Sequence, residues 1–298
     1  MLRAALFADT RIADKICRSF GLTAGMSGEA LEAAMQACLG QAERDPVSHH
    51  ADASEVFRAA VRAIGSNSRR WVSYCVIERK LAPELGGFDP SFVRRRDRNH
   101  VIGLIRQMLP GLTSKRDAES IVRWAEQLAG PGDEYQRLLD IRQAAVIAGS
   151  RLPSPPDQAE LTAIVAAAIG MGSAVIGQHG VPDRKAPGMG PVLASEFLRN
   201  LGWSGFKPDR HVQRLLSCWF GDDEPSRSRG AELAGLLQPS GLQLANFMTF
   251  SVLGSTRCPP GESVNRVDQL IWLYGAFVNK KSRKRRPQAG DAAPRQPD

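Results

Sequence analysis

At 298 residues the chain is long enough for one large domain, or two small lobes, around a sizeable core. With 43% hydrophobic and 23% charged residues its composition is ordinary for a globular protein and unlike that of a disordered one. A formal net charge of +8 favours polyanionic partners, because Lys and Arg that neutralise phosphates release condensed counterions.

The opening stretch has one basic residue and then a short apolar run that Asp9 and Arg11 interrupt, too little for a signal peptide. Helical spacing of apolar residues recurs over 28–42, 54–64, 70–82, 117–129 and 134–148, and alternation of the β type is scarce. The helix from 117 has Asp117 as its expected cap and ends at Gly130-Pro131. Residues 151–158 read as a linker, 159–169 as a small Ala-rich helix, and 171–187 as irregular Gly/Pro-rich chain. Helices are expected again near 191–201, 209–220, 229–237, 241–253 and 264–279, and the basic, then Gly/Ala/Pro-rich, end from about 281 to 298 as disordered. The expected fold is all-α, with no strand pair. Two helical lobes would enclose a cleft within 51–280, preceded by an N-terminal helical extension over 1–50.

Cys17, Cys38, Cys75, Cys218 and Cys258 form no close pair, so neither a disulfide framework nor a zinc or iron–sulfur spacing is present. No apolar run approaches the ~20 residues of a membrane span. A cytoplasmic protein without membrane contact is expected, associated with the nucleoid if the source is a prokaryote.

The segment from Ala186 to Leu216 is the most informative. Pro187-Gly188-Met189-Gly190 is a tight turn, and its glycines permit positive φ and a bare backbone. Pro191 suits the first helical position, and Leu193, Ala194, Phe197, Leu198 and Leu201 form one apolar face before Gly202. Backbone N–H groups at such a helix N-terminus accept a phosphate oxygen that no side chain crowds out. A ligand-free turn between two helices explains the same residues.

This segment resembles the helix-hairpin-helix DNA glycosylases of the endonuclease III type. Their marks are an apolar-Pro-Gly-x-Gly hairpin, a second helix, a Gly/Pro-containing loop and an Asp opening the next helix. The matching elements here are Pro187 to Gly190, the helix from Pro191 to Leu201, the loop from Gly202 to Pro208, and Asp209. Asp209-Arg210-His211-Val212-Gln213-Arg214 is similar to the Asp-x-His-x-x-Arg run that follows the family's catalytic loop. Weaker echoes are the stretch from Gly111 to Glu119 and the turn Ile64-Gly65-Ser66-Asn67-Ser68. The connection 131–186 is longer than the family's.

The resemblance implies a monofunctional DNA N-glycosylase that extrudes a damaged or modified base from double-stranded DNA and leaves an abasic site. Breaking the N-glycosidic bond builds oxocarbenium-like charge on the sugar. Asp209 would be the catalytic carboxylate that stabilises this charge and orients water, although Asp after Pro208 is also a good helix cap. The implied DNA contacts are Gly188, Met189, Gly190, Arg210, His211 and Arg214. Packing within its helix is the preferred alternative for His211, and an ordinary solvated face is the alternative for the two arginines. Asn67 is a candidate wedge or a helix C-cap. Trp203 and Phe206 line a base pocket or close the core beneath the loop. Trp71, Tyr74, Trp272 and Tyr274 are either cleft residues or packing. Val192 stands where bifunctional members carry a Schiff-base lysine, so lyase chemistry is not expected there, and neither Lys185 nor Lys207 matches that position. With only Cys218 and Cys258 after the catalytic helix, no iron–sulfur cluster and no other metal cofactor is expected, and a monovalent cation at the hairpin is the one ion allowed. The protein is expected to be a monomer. A non-catalytic hairpin DNA-binding protein and an unrelated helical interaction protein are the alternatives.

Overall fold

The computed structural model describes residues 2–39, 42–67, 69, 71–177, 184–238 and 242–279, so the basic tail over 281–298 lies outside the described residues. A π-helical turn (Ala4–Ala8) and helices α1 (Thr10–Phe20), α2 (Gly28–Leu39), α3 (Ala53–Ser66) and α4 (Trp71–Glu84) open the chain. Next come α5 (Pro90–Arg94), α6 (Arg98–Met108), α7 (Ser114–Leu128), α8 (Glu134–Gly149) and α9 (Gln158–Met171). Strand β1 (Ala174–Val175) precedes α10 (Pro191–Asn200), α11 (Arg210–Phe220) and α12 (Glu224–Ala234). Strand β2 (Leu237–Gln238), α13 (Leu242–Thr256) and α14 (Val264–Phe277) complete the order.

The all-α expectation holds for the described residues. One strand pair corrects it in detail: Ala174 pairs with Gln238 and Val175 with Leu237, antiparallel. Two residues per strand are too few for alternation to register in a sequence. The helix expected from 117 starts earlier, at Ser114. Asp117 is therefore not its cap. It is buried inside α7, accepts a hydrogen bond from Thr113 Oγ1 at 2.8 Å, and lies 2.8 Å from Arg69.

The largest core is built from α3 to α10 with α12 and α13, and includes Phe57, Ile64, Trp124, Ile164 and Phe197. Its central member is α9, buried from Ala159 to Gly170. The small side chains Ala163, Ala166, Ala167 and Gly170 let neighbouring helices approach closely. A second core joins the N-terminal helices to α14 through Leu6, Ile16, Leu31 and Met35 against Leu270 and Leu273. A third packs α11 on α13 and α14 through Val212, Leu215, Leu216, Leu253 and Ile271, with Phe206 beneath. Helix α14 thus belongs to two cores, and its remaining side faces the cleft described next.

Candidate functional site

The turn before α10 closes against α9. Ala186 N–H donates to Ile169 O at 2.8 Å, so the long stretch after α9 returns to the end of the same helix. Gly170 lies directly under the turn, where a Cβ would come within 2.5 Å of the Pro191 nitrogen. Trp124 Nε1 donates to Pro187 O at 3.0 Å and fixes the first residue of the turn from α7.

The two glycines of the turn serve different ends. Gly188 has φ +72°, and a Cβ there would meet Ser120 Oγ at 2.4 Å. Its lack of a side chain is needed for the fold, and the residue is also exposed, so its backbone lies open as well. Gly190 is the N-cap of α10, makes no side-chain cap, and would meet nothing within 4 Å if a Cβ were added. Met189 departs from its expected role in DNA contact: its side chain is buried in the main core and its N–H donates to Ala186 O at 3.2 Å. The open part of this turn is therefore Gly188, Gly190 and the first turn of α10.

Asp209 is the N-cap of α11. Its Oδ1 accepts from His211 N at 2.8 Å and Val212 N at 3.0 Å, and the residue is half-buried. One oxygen thus satisfies the helix. Asp209 also lines a cleft of about 690 Å³, together with Val192 and Leu193 of the open turn of α10. The cleft collects residues from six helices, the turn after α3 and the loop before α11, among them Asn67, Arg69, Trp71, Lys207, Asp268 and Trp272.

The other expected residues divide. Arg210 is exposed and His211 half-buried, and both line the cleft. Burial lowers the His211 pKa, Asp209 opposes that shift, and Arg210 and Arg214 add to it. Arg214 turns away: its guanidinium donates to Asn279 O at 2.7 Å and holds the end of α14. Trp203 and Phe206 are core residues, which corrects their placement in a base pocket. Trp203 Nε1 donates to Tyr135 Oη at 3.3 Å, and Phe206 belongs to the third core. Trp71 and Trp272 do face the cleft, and the Trp71 indole N–H is buried without a hydrogen-bond partner among the described residues. Tyr74 is fully buried behind it.

Asn67 is the C-cap residue of α3 and also lines the cleft. Val192 is half-buried on the cleft wall, at the place the resemblance gives to a lysine. Of the two nearby lysines, Lys185 is exposed, whereas Lys207 lines the cleft with its Nζ 3.2 Å from Glu196.

Sequence reasoning missed Arg69 and Leu112. The Arg69 guanidinium is buried and donates to Gly65 O at 3.1 Å, Asn67 O at 3.3 Å, Pro110 O at 3.1 Å and Leu109 O at 3.4 Å. It staples the turn after α3 to the loop before α7. Leu112, on that loop, is fully exposed, and a lone exposed leucine is a feature no periodicity announces. Deeper still, Glu196, Arg199, Asn265 and Asp268 form a buried polar group beneath the 203–207 loop. Their spacing in sequence carried no signal, because the partners come from α10 and α14.

Among the described residues, no group of three or more His, Cys, Asp or Glu is placed to hold a metal ion. No described helix is long and apolar enough to cross a membrane. No protein-family model matches this chain, and no curated protein or solved structure matches it.

Proposed function

We propose that the chain is a monofunctional DNA N-glycosylase of the helix-hairpin-helix type, acting on a base extruded from double-stranded DNA. The observation that carries the reading is the meeting of two features on one cleft: the carboxylate of Asp209 and the uncapped N-terminal turn of α10. In this reading α9, the turn Pro187–Gly190 and α10 are the hairpin. Gly190 and the first N–H groups of α10 hold a backbone phosphate, and that contact sets the distance from the duplex to Asp209. A monovalent cation at the turn would serve the same phosphate.

In this reading the main core forms one lobe, α11, α14 and the N-terminal helices form the other, and the cleft is the groove between them. Trp71 and Trp272 offer aromatic walls for an extruded base. Asn67 and Leu112, joined through Arg69, fill the gap the base leaves in the duplex. The free oxygen of Asp209 faces the sugar, stabilises the developing cation and orients a water for attack at the anomeric carbon. Lys207 is held in an ion pair with Glu196 and Val192 carries no amine, so water is the nucleophile and the product is an intact strand with an abasic site. The protein acts as a monomer in this scheme and needs no iron–sulfur centre.

A second reading, a DNA-binding hairpin protein without chemistry, draws on the capping bonds of Asp209, which by themselves account for an Asp at this position. Incubation with a panel of duplexes carrying alkylated, deaminated, oxidised or otherwise modified bases, followed by alkali, separates the two. Strand breaks only after alkali are expected for at least one duplex. DNA binding without base release from any duplex would favour the second reading.

A further inference from the structure

Charged side chains are seldom buried, because desolvation costs several kcal/mol per ion unless partners compensate. Beneath the catalytic loop the chain buries Glu196, Arg199 and Asp268 together, beside the fully buried Asn265. Their bonds run to one place. Asn265 Nδ2 donates to Trp203 O at 3.0 Å, Gly205 N donates to Asn265 Oδ1 at 3.1 Å, and Lys207 N donates to Asp268 Oδ1 at 3.0 Å. Side chains of α14 therefore hold alternate residues of the loop that ends at Asp209.

Arg199 ties this grip to α10. Its guanidinium lies 2.7 Å from Asp268 Oδ2 and donates to Asn265 Oδ1 and to Asn265 O, each at 3.2 Å. The helix that begins at Gly190 and the loop that ends at Asp209 are thus linked through Arg199 and Asp268. Asn at 268 could accept the Lys207 N–H equally well. The carboxylate adds a charge, and Asp268 lines the same cleft as Asp209.

We infer that Asp268 is a positioning residue that holds Asp209 in register with α10 and supplies a second negative charge to the cleft floor, so that the cleft prefers a cationic sugar ring to a neutral one. The inference rests on the glycosylase reading. The groups facing Asp268 are Glu196 and Arg199 from α10, Lys207 from the loop and Asp209 from α11. Burial pushes the Asp268 pKa up to about 6, and Asp209 adds to the rise while Arg199 and Lys207 oppose it. Its charge therefore develops as pH rises through that value.

The test needs no knowledge of the damaged base. Two duplexes differ at one position, where one carries a pyrrolidine ring, cationic at neutral pH, and the other a neutral tetrahydrofuran ring. The ratio of their Kd values is measured from about pH 5 to about pH 8 for the wild-type chain, Asp209→Asn and Asp268→Asn. The wild-type preference for the cation is expected to rise through about pH 6. Asp268→Asn should flatten that rise and cut the preference by about threefold or more, weakening the cationic duplex more than the neutral one. Asp209→Asn should lower the preference and keep the rise but move it to lower pH, because the Asp209 charge no longer holds the Asp268 pKa up, and this holds the test open if Asp268→Asn does not fold. A flat profile in both the wild type and Asp209→Asn would then overturn the inference. A wild-type preference that Asp268→Asn leaves intact would overturn the inference alone. No wild-type preference between the rings would overturn it together with the glycosylase reading.

Discussion

The Arg69 guanidinium lies 2.8 Å from the Asp117 carboxylate, with both side chains buried, and from there it spans two backbone segments. One is the turn carrying Asn67 and the other is the loop carrying Leu112. Arg69→Ala would leave Asp117 buried without its cation, at a cost of about 3 kcal/mol, and would release both tips. Leu112→Ala should leave thermal stability unchanged, because the side chain buries nothing. Its effect should fall on affinity for a duplex containing a tetrahydrofuran site. Thermal melts and DNA titrations of the two variants check this, and a Leu112→Ala protein with full affinity would remove Leu112 from the interface.

The features legible in the sequence were local ones. Pro191 and the apolar face from Leu193 to Leu201 mark α10, and Asp209 after Pro208 marks the start of α11, because caps and helical periodicity act within a few residues. Asp117 misled for the same reason: an acidic residue before an apolar face looks like a cap, whereas here Arg69, far away in sequence, draws it into the interior. Helix α5 has five residues, too few to show a period, whereas α6 carries Val101, Ile105 and Met108 at helical spacing and was legible. Asp268 and Asn265 act on the loop only because α14 folds back beneath it, and no spacing within the chain encodes that approach.

The glycines of the turn should separate under substitution. Gly188→Ala places a side chain at φ +72° and against Ser120, so it should destabilise the fold by about 2 kcal/mol or more. Gly190→Val has open space and extended backbone, so thermal stability should change by less than about 1 kcal/mol. Its DNA affinity should nevertheless fall for every sequence tested, because a branched side chain now covers the N-terminus of α10. Unchanged affinity in Gly190→Val would exclude the turn as a phosphate contact.

Asp268 also gives a stability signature. Its folded-state pKa of about 6 lies above the ordinary 3.8, so between those values the folded chain binds a proton that the unfolded chain lacks. The contribution of this group to stability is therefore full below the lower value and is lost as pH rises through the higher one. The Tm of the wild type relative to Asp268→Asn should fall as pH is raised from about 5 to about 7. A constant difference in Tm across that range would contradict the buried, raised carboxyl.

Borohydride should trap no covalent complex between the protein and a substrate duplex. An imine needs a neutral amine, and the cleft offers Val192 at the hairpin and a Lys207 ammonium held by Glu196. Efficient trapping that disappears in Lys207→Gln would show that this ion pair opens during the reaction and that the enzyme cleaves the strand as well as the base.

Asp209→Asn isolates the chemistry at Asp209, because Asn caps a helix about as well as Asp and α11 should remain intact. The measurement is single-turnover base release from the best duplex of the panel, with affinity for the same duplex measured in parallel. A loss of rate of about a hundredfold or more at nearly unchanged affinity is predicted, since the carboxylate acts on the charged transition state. Wild-type rates in the Asn variant would leave Asp209 a helix cap and nothing more.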